Sequence, residues 1–271
     1  MYLDRLQLFI QSGQYTELKK LENELSCLRD RIMKYQEIAG LERIVWRKQG
    51  VVGYFTRVHL YEEDKAALFD FFHNSGLLPY VVNVQWAKLL PDEQLKLEEL
   101  VAKREGYVRF WPKKTKFLFA KESNYDLAKP LQADILDLVS EWRVLKWKYE
   151  RVEKQWTTLR REALREWGER ERKIQLPSGS LSVVRLKPQI QAGTLLKHLD
   201  RSALLRAGTV NYDKVIEFAA KGYFNKVDVD KYRKIKDISI RYILMELQNE
   251  IKKHEYFNRR LNCLSEMSRQ M

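Results

Sequence analysis

Ten apolar residues whose spacing alternates between four and three constrain this chain more than any other feature. They are Leu131, Ile135, Leu138, Trp142, Leu145, Tyr149, Val152, Trp156, Leu159 and Ala163. The pattern is the a/d seam of a helix that buries one stripe against a neighbour. With Pro130 suited to a first helical turn, it predicts a rod over about 130–173, roughly 60–65 Å long at 1.5 Å per residue. A shorter seam of the same kind runs through Leu18, Leu21, Leu25, Leu28, Ile32, Tyr35 and Ala39, and Gly40 supplies the stop. It predicts a helix over 14–39. A looser run, Ile240, Leu244, Leu247, Ile251, His254 and Leu261, with Asn258 on the seam, predicts a third long helix over 231–267. The helix over 14–39 is too short to cover the whole rod, so the C-terminal helix or a second copy of the chain is expected to cover the rest.

Between the helical runs the apolar period changes to two. Arg43 to Arg57 reads as two strands around a turn at Lys48-Gln49-Gly50, and Arg172 to Leu186 as two strands around Gly179. Each hairpin leads into a short helix, Glu63–Ser75 with Ala67, Leu68, Phe71 and Phe72 inward, and Thr194–Leu205 with Leu195, Leu196 and Leu199 inward. Ser75-Gly76-Leu77 and Ser202-Ala203-Leu204 close the two at an offset of 127 residues. This common order raises a tandem repeat of coil, hairpin and helix, against the alternative of chance likeness between short apolar patterns. The expected fold class is helix-rich α+β, with long coiled-coil helices bearing small antiparallel hairpins. Two domains are expected, 1–124 and 125–271, with the boundary near Ser123 to Pro130. The chain has only 11 Gly and 6 Pro in 271 residues, below the usual roughly 7% and 5%, which disfavours a many-stranded sandwich or barrel.

Catalytic signatures are missing from the sequence. No phosphate-binding loop, dinucleotide fingerprint or nucleophile elbow occurs. His59, His73, His198 and His254 stand singly, without ligand-spaced partners. Asp228 and Asp230 fit the start of the C-terminal helix, and Asp92 and Glu93 a helix first turn, better than a magnesium site. Neither catalytic activity nor a cofactor is expected. Cys27 and Cys263 are too few for a disulfide scaffold or a four-cysteine zinc site. No signal peptide or long apolar span is evident, so no membrane contact and a cytoplasmic location are expected.

Charge carries the functional expectation. Fifty Lys and Arg against 37 Asp and Glu give a formal charge of +13, which favours polyanionic partners and salt-sensitive association. The densest patch is 103–121, where seven cations face only Glu105. It reads as a hairpin whose basic tip carries Lys113, Lys114 and Lys116. Arg109 and Trp111 lie beside them, with Tyr107, Phe110, Phe117 and Phe119. These rings either offer stacking surfaces for bases or pack inward and leave only the lysines exposed. A second patch, Lys231, Arg233, Lys234 and Lys236, precedes the last helical run.

The second half, roughly 140–245, resembles the phage Mu Gam-like host-nuclease inhibitors. The likeness rests on a long helix, the hairpin Leu176-Pro-Ser-Gly-Ser-Leu-Ser-Val-Val-Arg-Leu-Lys-Pro188, a short helix, and Val227-Asp-Val-Asp-Lys-Tyr-Arg-Lys234 leading into another helix. Gly179, Leu181, Arg185 and Pro188 carry the match, and Ala207 to Asp213 is an insertion relative to the family pattern. The resemblance implies a dimer that encircles duplex DNA ends and shields them from exonucleases, with Arg185 and the 231–236 cluster lining the channel. The expected function is therefore that of a non-catalytic DNA- or other nucleic-acid-binding protein of phage or mobile-element type. It is expected to form a homodimer or to pair with a coiled-coil protein partner. The alternatives are a coiled-coil assembly protein and a protein-directed inhibitor of a nucleic-acid-processing enzyme.

Overall fold

A computed structural model describes residues 2–101, 105–113, 134–167, 173–186 and 197–269. Helices alternate with small antiparallel sheets, an α+β chain. The chain divides into two compact units, each assembled from separated stretches. One takes 1–56, 105–185 and 241–251, and the other 57–104, 186–240 and 252–271. The boundary expected near 123–130 lies outside the described residues.

The first unit is organised by three helices, α1 (Tyr2–Gln11), α2 (Gln14–Ile38) and α6 (Ile135–Trp167). Gly13, at φ 83°, makes the left-handed corner between α1 and α2. Leu18, Leu21, Leu28 and Ile32 of α2 are buried, as are Leu138, Trp142, Val152, Trp156 and Ala163 of α6, whereas Tyr35 and Ala39 at the end of the shorter run are exposed. The part of the rod beyond α2 is covered by α1, whose Leu3, Leu6, Phe9 and Ile10 share a core with Trp156, Ala163 and Trp167. The Glu166 carboxylate accepts hydrogen bonds from the backbone N–H of Tyr2 and Leu3 at the start of α1. Residues 1–13 hold no heptad, which is why the sequence expectation looked elsewhere for this cover.

Both expected hairpins form. Strand β1 (Arg43–Trp46) pairs with β2 (Val51–Glu63), Trp46 opposite Val51, around Gly50 at φ 64°. Strand β5 (Lys173–Leu176) pairs with β6 (Gly179–Val184), and β4 (Tyr107–Pro112) adds to the far edge of β6 in the order β4-β6-β5. The remainder of the predicted 103–121 hairpin, 114–121 included, is outside the described residues.

The largest correction concerns 231–246. The predicted helix from 231 is instead strand β8 (Arg233–Glu246), and only Leu247–Arg269 is helical. Ile240 and Leu244, four apart, fit a helical stripe and one face of a strand equally well. Ile235, Ile238, Ile240, Tyr242 and Ile243 tip the balance, since β-branched and aromatic side chains favour the pleated surface. Strand β8 joins the sheet beyond β2, in the order β1-β2-β8. Asp64 N–H donates to Tyr232 C=O, and Leu247 N–H to Gly50 C=O, so β8 spans one residue more than the stretch of β2 it faces. The rings agree: Tyr61 lies on Arg233, both odd-numbered, whereas Phe55 lies on Tyr242. One extra residue between Arg233 and Tyr242, a bulge, accounts for the slip.

Gln36 is fully buried and ties α2 to this sheet. Its amide donates to the carbonyls of Leu41 (3.0 Å) and Gly53 (3.2 Å), and its carbonyl accepts from the Tyr242 hydroxyl (3.1 Å). Glu250, buried at the start of the last helix, pairs with Arg43 at 2.8 Å.

The second unit packs α3 (Lys65–Asn74), α4 (Leu78–Val81), α5 (Pro91–Leu97), α7 (Arg201–Ala207), α8 (Tyr212–Ala220) and α9 (Lys226–Asp230) around Leu68, Phe69, Phe72, Val81, Leu97, Leu204, Val215 and Val229. A short ladder, β3 (Val82–Val84) with β7 (Gly208–Val210), lies among them. Caps set the helix starts. Asp64, Asp200, Asn211 and Asn225 accept from Ala67, Ala203, Lys214 and Val227 N–H. Asp64 and Asp200 therefore begin two helices later than the sequence patterns at Glu63 and Thr194, and 194–196 lie outside the described residues. Asp228 and Asp230 belong to the five-residue α9 and not to the C-terminal helix.

Gly53 has no room for a side chain: a Cβ there would meet the Tyr242 hydroxyl, Gln36 Oε1 and the Trp46 ring. Gly53→Ala is expected to cost about 1–3 kcal/mol by overpacking, read as a lower urea midpoint at unchanged slope.

Candidate nucleic-acid interface

Strand β4 sorts its residues by alternation. Val108 and Phe110 point into the core with Leu181 and Trp156, while Arg109 and Trp111 are exposed. Of the two outermost rings of this strand, Phe110 packs inward and Trp111 stays 45% exposed. Register aligns the outer face. Arg109 and Lys173 both lie opposite Ser182, and Trp111 and Gln175 both lie opposite Ser180. Lys173 and Arg109 thus flank one position of the central strand, about 10 Å apart across two strand spacings. The Arg109 guanidinium sits 3.8 Å from the Trp111 ring centroid, and Trp111 Nε1 donates to Ser182 Oγ at 2.8 Å. Indole and guanidinium are therefore held in place with one ring face and one charge still accessible. Lys113 follows at the strand end, exposed, its backbone N–H bonded to Ser178 C=O.

Along the other edge of β4 runs a cleft of about 410 Å³, lined among others by Tyr15, Lys19, Glu22, Tyr107, Glu153, Trp156 and Arg160. Arg109 and Trp111 line it too, but its other cations, Lys19 and Arg160, are already engaged. Burial works against the charge of Lys19, but its 2.6 Å hydrogen bond to Glu22 and nearby negative groups hold its pKa above the ordinary lysine value. Arg160 Nε donates to Val108 C=O at 2.7 Å, and its guanidinium lies over Tyr107 and Trp156. Burial pushes the Tyr15 and Tyr149 hydroxyls up, so both are neutral near pH 7. Arg109, Lys113 and Lys173 have no ion-pair partner among the described residues.

The remaining sequence candidates fare differently. Arg185 is exposed just beyond Val184, which lies opposite Tyr107. It is therefore at the end of the sheet away from Lys113, roughly 24 Å along the strand at about 3.4 Å per residue. Lys114 and Lys116 lie outside the described residues. The 231–236 cluster belongs to the second unit and is not one patch. Lys231 bonds Asp228 at 2.6 Å, which raises its pKa. Arg233, with its side chain 15% exposed, is held between the rings of Tyr61 (3.9 Å) and Tyr212 (3.6 Å) and pairs with Glu63 at 3.5 Å. Lys234 and Lys236 are exposed without an ion-pair partner among the described residues. Lys173 reads in the sequence as one of the glutamate-compensated cations of the rod, because its place beside Arg109 depends on a strand pairing between distant segments.

Comparison with family models, with curated proteins and with solved structures gave no match. Among the described residues there is no group of three His, Cys, Asp or Glu placed to hold a metal, and no helix long and apolar enough to cross a membrane.

The two faces of β4 should respond differently to truncation. Phe110→Ala is expected to cost about 3–5 kcal/mol and Arg109→Ala within about 1 kcal/mol, measured by chemical denaturation.

Proposed function

We propose that the chain is a non-catalytic nucleic-acid-binding protein that contacts its ligand through the outer face of the β4-β6-β5 sheet. The observation that supports this most is the Arg109 guanidinium on the exposed Trp111 ring, aligned with Lys173 and followed by Lys113, with no carboxylate neutralising them among the described residues. Cations next to a stacking surface suit a duplex end, where backbone phosphates and an unstacked terminal base pair occur together. Protection of duplex DNA ends, as implied by the resemblance to Gam-like inhibitors of phage type, is the specific form of this reading. In it the α2 and α6 seams act as a coiled-coil support for the sheet.

Fluorescence titration with short blunt duplexes tests it. Replacing Arg109, Lys113 and Lys173 together with Gln should lower the salt slope of binding by about 2.7, at about 0.9 per phosphate contact. Trp111→Ala should weaken binding by about 1–3 kcal/mol with little change in slope. Circular duplex should bind more weakly than linear duplex of the same length. Absence of binding at low salt would leave the assembly reading. That second reading draws on the C-terminal helix, whose residues 251–259, Ile251, Tyr256 and Phe257 among them, are all exposed.

A further inference from the structure

The strand β8 is an edge along its whole length: it pairs with β2 on one side and with no strand on the other among the described residues. Strand β1 covers β2 only as far as Tyr54, so 57–63 and 233–240 form a two-stranded ribbon. Isolated two-stranded ribbons are at best marginally stable in water, and a long unpaired edge is a template for another strand. Here the edge is apolar and exposed, with Ile238 at 48% and Ile240 at 71%. Lys234, Lys236, Asp237 and Arg241 are exposed as well.

The order of residues along this edge selects the strand that fits it. Asp237-Ile238-Ser239-Ile240-Arg241 is complementary to itself when reversed. If a second copy lies antiparallel with a two-fold axis at Ser239, each Asp237 falls opposite an Arg241, each Ile238 opposite an Ile240, and Ser239 opposite its own counterpart. Directly opposed positions share a sheet face. The four isoleucines therefore cluster on one face and the two ion pairs lie on the other. Asp237 accepts only the neighbouring Ile238 N–H at 2.8 Å, and neither Asp237 nor Arg241 has an ion-pair partner among the described residues. A shift of the axis by one residue, to Ile238 or Ile240, destroys the match, because Asp237 then faces Ser239 or Ile243. The match is specific to one register, and a closed two-fold pairing leaves no free β8 edge to propagate.

We propose that β8 is the interface between two copies of this chain, joined antiparallel about Ser239 into a continuous sheet that is four strands wide at the axis. This is independent of nucleic-acid binding. It also gives the expected homodimer a different surface from the rod, which α1 and α2 cover.

Sedimentation velocity over a concentration series, without nucleic acid, tests the proposal on the full chain. The unaltered protein is expected to dimerise. Asp237→Arg and Arg241→Asp each place like charges opposite one another twice per dimer and should raise the dissociation constant on the order of 10-fold or more. The double variant D237R/R241D restores opposite charges at both positions and should recover dimerisation. Ser239→Cys should form a disulfide-linked dimer under mild oxidation that the unaltered chain, with Cys27 and Cys263, does not. Facing residues at the axis have Cα atoms about 4.5–5.5 Å apart, within disulfide reach. A monomer at all concentrations overturns the proposal. So does a dimer that the single variants leave intact, or a double variant that stays dissociated, as a bulge within 237–241 would cause.

Discussion

Four rings tie the first unit together. Tyr15 of α2 meets Phe110 of β4 edge-on at 4.9 Å and lies 4.9 Å from Trp156 of α6, which in turn stacks on Phe9 of α1 at 5.6 Å. Two helices thus meet at the Trp156 indole, and Tyr15 carries the contact on to a strand more than ninety residues away. Because Phe110 is turned in, alternation along a pleated strand turns Arg109 and Trp111 out. The exposed indole and guanidinium are a consequence of the buried ring between them. Arg160, one helical turn from Trp156, binds the Val108 carbonyl, fixing β4 against the helix that supports it.

Much of the helical framework is legible in the residues. The a/d runs mark α2 and α6, Gly40 and Gly50 mark turns, and period-two stretches mark β1, β2, β5 and β6. These are local signals, each read within a window the length of the element itself. The association of β4 with β6 joins residues some seventy apart and has no local signature, so neither the strand order nor the row of Lys173, Ser182 and Arg109 was accessible. For β8 the local signal misled. A spacing of four is common to both periods, and the isoleucines that decide for a strand sit among lysines that suit a helix surface equally well.

The candidate site divides along the same line. The sequence shows which residues carry charge, but the charge left for a ligand depends on neighbours supplied by the fold. Arg233 looks like part of a basic cluster until Tyr61, Tyr212 and Glu63 close around it. Lys231 is taken by Asp228, three positions away, a pair that helical spacing could have flagged. Arg109 differs because its neighbours across the sheet are Ser182 and Lys173. An unpaired surface cation costs little, and among the described residues no carboxylate forms an ion pair with Arg109.

The interleaving of the two units sets the order in which the chain can become native during synthesis. Gln36 and Gly53 appear early, yet the hydroxyl of Tyr242, which completes their hydrogen-bonded knot, is about two hundred residues downstream. The outer half of β2 likewise waits for β8. Pairings this distant are slow to form, and until they do the β2 edge remains open to other strands. A nascent chain therefore holds a half-built sheet while the residues between β2 and β8 are being made. The late arrival of β8, more than the making of the helices, governs when each molecule closes.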